Sequence, residues 1–314
     1  IVLLGGGTTL IGDPSGKEET REILTIEKIK RNKKKLKSLF MKFLSFSNSK
    51  ENRAILLDNY DWIKNLNYVD FLREIGSQFS INRMLTLESV KQRLNREQHL
   101  SFLEFNYSII QSYDFLELYK KNKCSIQFGG SDQWGNIISG IELVKRKTGQ
   151  EVFGLTSPLI TTSNGTKMGK TNSGAIWLTN EKLSPYEYWQ YWRNVDDKDV
   201  VRFLLLFTEL ESNLIEKFKN CSGSELNDAK ILLANEATKI CHGEELANQA
   251  EQSANSIFSK NQIDFNIPEK HKMEVSNKEI IDSLTLKQVL VSIYLSSSLT
   301  ESKRLIKNGG VKIN

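Results

Sequence analysis

Four stretches of the chain hold side chains and glycines spaced to work on a polar, anionic ligand. Gly5-Gly6-Gly7-Thr8-Thr9-Leu10-Ile11-Gly12-Asp13-Pro14-Ser15-Gly16-Lys17 follows a short apolar run. Its glycines let the backbone approach a ligand closely. It is not a P-loop, because Lys17 is followed by Glu18 where that motif needs Ser or Thr. Along 104–119, Phe105, Ile109 and Leu116 share one arc of a predicted helix. Tyr107, Gln111 and Asp114 share the opposite arc at ~100° per residue. Two readings stay open for that second arc, the wall of a polar pocket or an ordinary exposed face. Gly129-Gly130 closes a strand-like 125–128 and leads into Ser131-Asp132-Gln133, with Ser131 as the expected N-cap of a helix running to Gly149. A strand, glycine turn and helix start aim backbone N–H groups and the positive end of the helix dipole at a ligand. The fourth stretch, 161–174, contains Lys167-Met168-Gly169-Lys170-Thr171 among Gly, Ser, Asn and Thr, and reads as a mobile loop.

These stretches need elements to hold them, and 314 residues at about 150 per domain give two domains and part of a third. With 39% hydrophobic and 26% charged residues, the chain is ordinary for a globular protein, which excludes disorder, collagen and coiled coil as its main state. Its longest mostly apolar stretch, 1–12, is broken by glycines and threonines well short of the ~20 residues of a spanning helix. A net charge of +5 tolerates a polyanionic partner without demanding one. Cys124, Cys221 and Cys241 form no C-x-x-C pair, so neither a disulfide framework nor a cysteine zinc site is indicated, and a reducing compartment is expected. The chain starts at Ile1 without a Met, so its native start is expected to be lost and any targeting segment with it.

Ile1 to Leu4 reads as a strand buried on both faces of a parallel sheet, and Val152 to Ile160 as another strand. Ile26 to Leu44 is a helix whose apolar positions are interleaved with Lys28, Lys30, Arg31, Lys33, Lys34, Lys35 and Lys37. A solvated face and a nucleic-acid contact are both open there, and the lack of interleaved aromatics weakens the second. Ser184-Pro185-Tyr186-Glu187 has capping-box spacing and starts a segment that stays helical to Phe258. Residues 259–276 suit a linker; Leu286 to Leu295 and Glu301 to Lys307 are helical before Gly309-Gly310 and a strand starting at Val311. The expected domains are 1–183, 184–258, the linker 259–276, and an incomplete 277–314.

Gly12-Asp13-Pro14-Ser15-Gly16-Lys17, Tyr107-x-x-x-Gln111-x-x-Asp114, Gly129 to Asn136 and Lys167 to Thr171 stand in the order found in bacterial-type tyrosyl-tRNA synthetases, which the chain resembles over essentially its whole length. The resemblance implies an α/β fold: a Rossmann-like parallel-sheet catalytic domain, an α-helical domain, and the start of an S4-like RNA-binding domain. It implies a cytoplasmic class I aminoacyl-tRNA synthetase, a homodimer with no membrane partner and no tightly bound cofactor. Such an enzyme activates L-tyrosine with ATP, taken with Mg2+, and passes the tyrosyl group to tRNA(Tyr). In-line attack by an ionised carboxylate on the α-phosphate asks for alignment and charge stabilisation rather than a strong base.

Carried over residue by residue, Lys167, Lys170 and Thr171 look like the second class I signature, with Gly169 in place of its first Ser. Lys17 and Arg21 resemble a second mobile arm that meets the departing pyrophosphate. Asp13, Tyr107 and Gln111 match the holders of the substrate ammonium, Asp114 the acceptor of the phenol proton, Gln133 the contact to the carboxylate, and Asn82 a further polar residue of the tyrosine site. Gly130 and Asp132 match the ATP contacts, Asp132 at the ribose. Lys91, Arg93 and Arg96 stand where the family meets the tRNA acceptor arm, Phe102 at the subunit interface, and Lys303, Arg304, Lys307 and Lys312 where an S4 domain contacts phosphates. The first class I signature, His-x-Gly-His, is absent, since the histidines are His99, His242 and His271. These residues are therefore expected to form an incomplete enzyme, slow in making adenylate. The rival readings are a tryptophanyl-tRNA synthetase, against which Asp114 argues, and a non-catalytic RNA-binding relative of a synthetase.

Overall fold

The structure, a computed structural model, describes residues 1–10, 24–47, 51–97, 99–165, 168, 176–258, 273, 285–307 and 311. The chain divides into two compact units, Ile1–Lys170 and Thr171–Asn314.

The first unit alternates strands and helices. β1 (Val2–Leu4) leads through a 3-10 turn at Thr8–Leu10 toward α1 (Ile26–Phe43), β2 (Leu56–Asp58) and α2 (Tyr60–Ile63). Then come α3 (Tyr68–Glu74), α4 (Ile81–Met84), α5 (Glu88–Asn95), α6 (Phe102–Phe105), α7 (Tyr107–Asn122), β3 (Ile126–Gly130), α8 (Trp134–Thr148) and β4 (Phe153–Ser157). β1 pairs with β2 and β3 with β4, both parallel, the pairing expected of an α/β fold. The described strands make two pairs rather than one continuous sheet. Within the opening strand Leu4 is buried and Val2 and Leu3 are half-buried. Ile126, Phe128, Phe153 and Leu155, which share one face of the second pair, are 57–66% exposed. The opposite face meets α8, where a Cβ on Gly154 would come within 2.4 Å of Ile137.

α7 and α8 lie against each other and carry the core of this unit: Ile109, Phe115 and Leu116 meet Leu143 and Val144, with Ile75, Met84 and Val152 around them. The predicted apolar arc of α7 is thus the packed one, and each such side chain contributes ~1.5–3 kcal/mol by leaving water. α8 ends, as its sequence implies, on Gly149 at φ +71°, a backbone that favours glycine.

In the second unit α9 (Pro185–Arg193) starts on the predicted capping box, Ser184 Oγ accepting from Glu187 N–H at 3.2 Å and Glu187 Oε2 accepting from Ser184 N–H at 3.1 Å. α10 (Val200–Phe207), α11 (Ser212–Glu216), α12 (Ser224–His242) and α13 (Glu244–Phe258) follow without a strand among the described residues. Trp192, Phe203 and Phe207 cluster at their centre, Phe203 edge to face with both of the others and Trp192 tilted at 50° to Phe207. Trp189 Nε1 donates to Asn235 Oδ1 at 2.6 Å, and Asn235 Nδ2 to Glu251 Oε2 at 2.9 Å, tying α9, α12 and α13 together. α14 (Leu286–Ser292) and α15 (Leu299–Lys307) pair through Ser296 and Ser302, both buried. The linker at 259–276, apart from Met273, and the strand expected from Val311, apart from Val311 itself, lie outside the described residues.

Candidate active site

Because β1 and β2 are parallel, both end at the same edge, where the chain after each is free to shape a site. Asn59, directly after β2, is 1% exposed there and uses its whole amide. Its Oδ1 accepts from Gly7 N–H at 2.7 Å, and its Nδ2 donates to Thr8 Oγ1 at 3.0 Å and to Asp114 Oδ2 at 2.8 Å. Trp62, on the one turn of α2, donates Nε1–H to Asp114 Oδ1 at 2.8 Å. The glycine run permits this closeness: a Cβ on Gly7 would stand 2.7 Å from Ile63 Cδ1, and one on Gly6 2.2 Å from Asp58 Oδ1.

Asp114 is the centre of the network and is 4% exposed. Burial pushes its carboxyl up from the ordinary 3.8 to about 6, against the lowering pull of the Asn59 and Trp62 hydrogen bonds and with a small upward push from Glu117. Each oxygen receives one protein donor, and a carboxylate has about four acceptor sites, so both oxygens keep capacity for a donor brought by a ligand. Tyr107 and Gln111, half-buried, lie on the same arc of α7 within ~60° of Asp114. The polar arc of this helix is therefore not an ordinary exposed face.

That raised value has a measurable consequence. Well below pH 3.8 the carboxyl is protonated in the folded and the unfolded chain alike, and the fold bears no penalty. As pH rises from the ordinary 3.8 through about 6, the unfolded chain gives up the proton first, and stability falls by about 3 kcal/mol. Asp114→Asn is expected to flatten that part of the stability profile in urea titrations between pH 4 and 7; an unchanged slope would show that another group sets it.

Gly130, Asp132 and Gln133 stand at the carboxyl end of β3. A Cβ on Gly130 would lie 2.6 Å from Asp132 Oδ1, the end of an exposed side chain that can turn aside. Asp132 is exposed, and Gln133 Oε1 accepts from Asn136 Nδ2 at 3.2 Å. Ser131 is not the N-cap of α8: a 3-10 turn, Ser131–Gln133, comes first, and the helix begins at Trp134 with Gln133 as its cap.

Asp13, Lys17, Arg21, Lys167, Lys170 and Thr171 lie outside the described residues. Met168 alone of the second signature is described, its N–H donating to Ile160 C=O at 2.9 Å. Asn82 is exposed on α4, and Asn59 is the asparagine that donates to Asp114. Asn59, Trp62 and Thr8 were not anticipated. Their signal was a polar residue directly after a strand with an indole three positions on. Arg93 needs correction as an acceptor-arm contact: it is 4% exposed, its Nη1 donates to His99 C=O at 2.7 Å and its Nη2 pairs with Glu104 at 3.2 Å. A guanidinium so enclosed offers nothing to an external phosphate, whereas Lys91 and Arg96 are exposed.

Parallel strands whose trailing residues meet a buried carboxylate occur in many α/β enzymes, and the sequence narrows the choice. The chain belongs to the class I tRNA synthetases of the tryptophan and tyrosine type, whose family matches residues 1–259. Among its relatives, the tyrosine–tRNA ligase of Pelagibacter ubique (strain HTCC1062) is 49% identical over 314 residues, covering all of this chain and 75% of that protein. The tyrosine–tRNA ligase of Zymomonas mobilis is 51% identical with the same coverage. The crystal structure of a C-terminally truncated mitochondrial tyrosyl-tRNA synthetase from Aspergillus nidulans superposes with a TM-score of 0.68 at 31% identity, over 82% of this chain and 76% of that one.

Proposed function

We propose that this chain is a tyrosyl-tRNA synthetase, activating L-tyrosine with ATP and transferring it to tRNA(Tyr) in translation. The observation in the structure that carries the reading is Asp114, buried, held by Asn59 and Trp62, with acceptor capacity to spare. A phenol has one proton to give, and a buried carboxylate with acceptor capacity takes it; an indole N–H can also donate, and what favours tyrosine over tryptophan is that the tyrosine–tRNA ligases similar to this chain match it over its whole length at 49–51% identity.

Tyr107 and Gln111, with Asp13, hold the ammonium end, and Gln133 orients the carboxylate. Gly130 and Asp132 receive the nucleotide, which arrives as its magnesium complex. The tyrosine carboxylate then attacks the α-phosphate in line and pyrophosphate leaves. Lys167, Lys170 and Thr171, with Lys17 and Arg21, neutralise the charge that grows on the phosphates. Removing one such donor costs ~10²–10³ in rate, so Lys170→Ala is expected to slow ATP–pyrophosphate exchange by that factor with tyrosine affinity unchanged.

A homodimer is supported by Phe102 and Leu103, 67% and 43% exposed on α6, large apolar side chains that a partner would cover. Among the described residues no helix is long and apolar enough to cross a membrane, and we place the protein in the cytoplasm with its tRNA. Lys303, Arg304 and Lys307, exposed on α15, are the candidate phosphate contacts of an S4-like region to which Lys312 also belongs. The reading is tested by comparing amino acids in ATP–pyrophosphate exchange: tyrosine should exceed tryptophan by at least ~100-fold. Equal rates, or tryptophan ahead, would overturn it.

A further inference from the structure

α1 concentrates the charge of the molecule. Its 18 residues hold eight cations and one carboxylate, a net +7 against +5 for the whole chain. The helix is fixed to its unit on one side only. Ile29 is buried, and Lys33 pairs with Asp58, the last residue of β2, which also accepts from Gly6 N–H at 3.2 Å. Apart from the half-buried Lys28, the remaining six cations face outward in two rows. Lys30, Lys34 and Lys37 repeat at i, i+4 and i+7, about 10 Å from first to last along the axis, and Arg31, Lys35 and Lys42 form the second row. All six are exposed, and no carboxylate among the described residues pairs with Lys30, Arg31, Lys34 or Lys37. Like charges three and four residues apart weaken a helix, so the arrangement costs stability until an anion lies along it.

We propose that the outward face of α1 binds the phosphate backbone of RNA. A row of mobile ammonium groups suits a repeating anion and carries no base-reading geometry, so the contact is independent of sequence. Ile26, Leu36, Met41 and Phe43 of this helix are 41–60% exposed, so the choice of RNA rests on the repeat of its ammonium groups, and the vesicle comparison below separates RNA from a lipid surface. The proposal rests on the proposed function only in taking tRNA as the RNA that the reaction supplies.

The test is fluorescence anisotropy of the 314-residue chain with an in vitro transcribed tRNA bearing a tyrosine anticodon, across 50–200 mM salt. It compares the wild type with Lys30→Gln/Lys34→Gln/Lys37→Gln and with the charge-keeping Lys30→Arg/Lys34→Arg/Lys37→Arg. Losing three phosphate contacts should lower the salt slope by ~2–3 and so cut the gain in affinity on going from 200 to 50 mM roughly 16- to 64-fold. The arginine variant should keep the wild-type slope, and all three proteins should melt together and bind tyrosine alike. An unchanged slope in the glutamine variant, no tRNA binding by the wild type, or loss confined to phosphatidylglycerol vesicles would each overturn the proposal. Failure of the wild type to bind tyrosine, with the slope change intact, would count against the synthetase reading alone.

Discussion

Asp114→Ala is expected to abolish the preference for tyrosine over phenylalanine. A site built to hydrogen-bond a substrate hydroxyl rejects the analogue lacking it by ~10⁴–10⁵-fold, because the buried acceptor is otherwise left unpaired. The tyrosine enzymes of this family are the standard instance of that discrimination, so the figure is theirs, carried over to this chain. In the wild type, phenylalanine would leave the Asp114 carboxyl at 4% exposure with only Asn59 and Trp62 as partners. In the variant neither amino acid meets that penalty. The ratio of kcat/KM for the two in ATP–pyrophosphate exchange should fall to within about tenfold of unity, as expected when only apolar contact discriminates. A ratio that survives the substitution would place recognition of the phenol elsewhere.

The second large effect concerns stability. Arg93→Ala should cost ~3–5 kcal/mol, the penalty for leaving one partner of a buried ion pair alone. Glu104 is itself 4% exposed and also closes the start of α6, its Oε2 accepting from Ser101 N–H at 3.1 Å and Ser101 Oγ at 3.0 Å. Replacing both partners, as Arg93→Met/Glu104→Met, should cost less than the single change, since two apolar groups leave no charge unpaired. Thermal melting should show the order wild type, double variant, single variant. Unchanged melting of Arg93→Ala with weakened tRNA binding would restore the surface role.

The contrast between Arg93 and Asp114 shows what a sequence carries. Helical periodicity placed Tyr107, Gln111 and Asp114 on one arc and the core residues on the other, and both arcs are where the spacing puts them. Periodicity does not say which polar residue is buried, because that depends on partners far away in the chain. Arg93 sits in a basic, solvated-looking segment and is enclosed only because the chain folds back at His99 to bring Glu104 beside it. Asn59 and Trp62 stand some fifty residues from Asp114, and nothing local marks them as its partners. Caps behave differently, being local: the Ser184 box and Gly149 are as written in the sequence, and Ser131 fails only because a tighter turn precedes the helix. β1 and β3 are legible as short apolar runs leading into glycines, but β2 and the division into two strand pairs are not, since strand pairing is a property of long-range contacts.

Calorimetric titration with tyrosine in buffers of different ionisation enthalpy bears most directly on the role of Asp114. At pH 6 the free carboxyl is about half protonated, and a phenol that donates to it favours the ionised form, so binding should release about half a proton. At pH 8, where the carboxyl is already ionised, release should vanish. Binding of tyrosine at pH 6 with no proton release, or equally tight binding of phenylalanine, would contradict the assignment of Asp114 as the acceptor of the phenol.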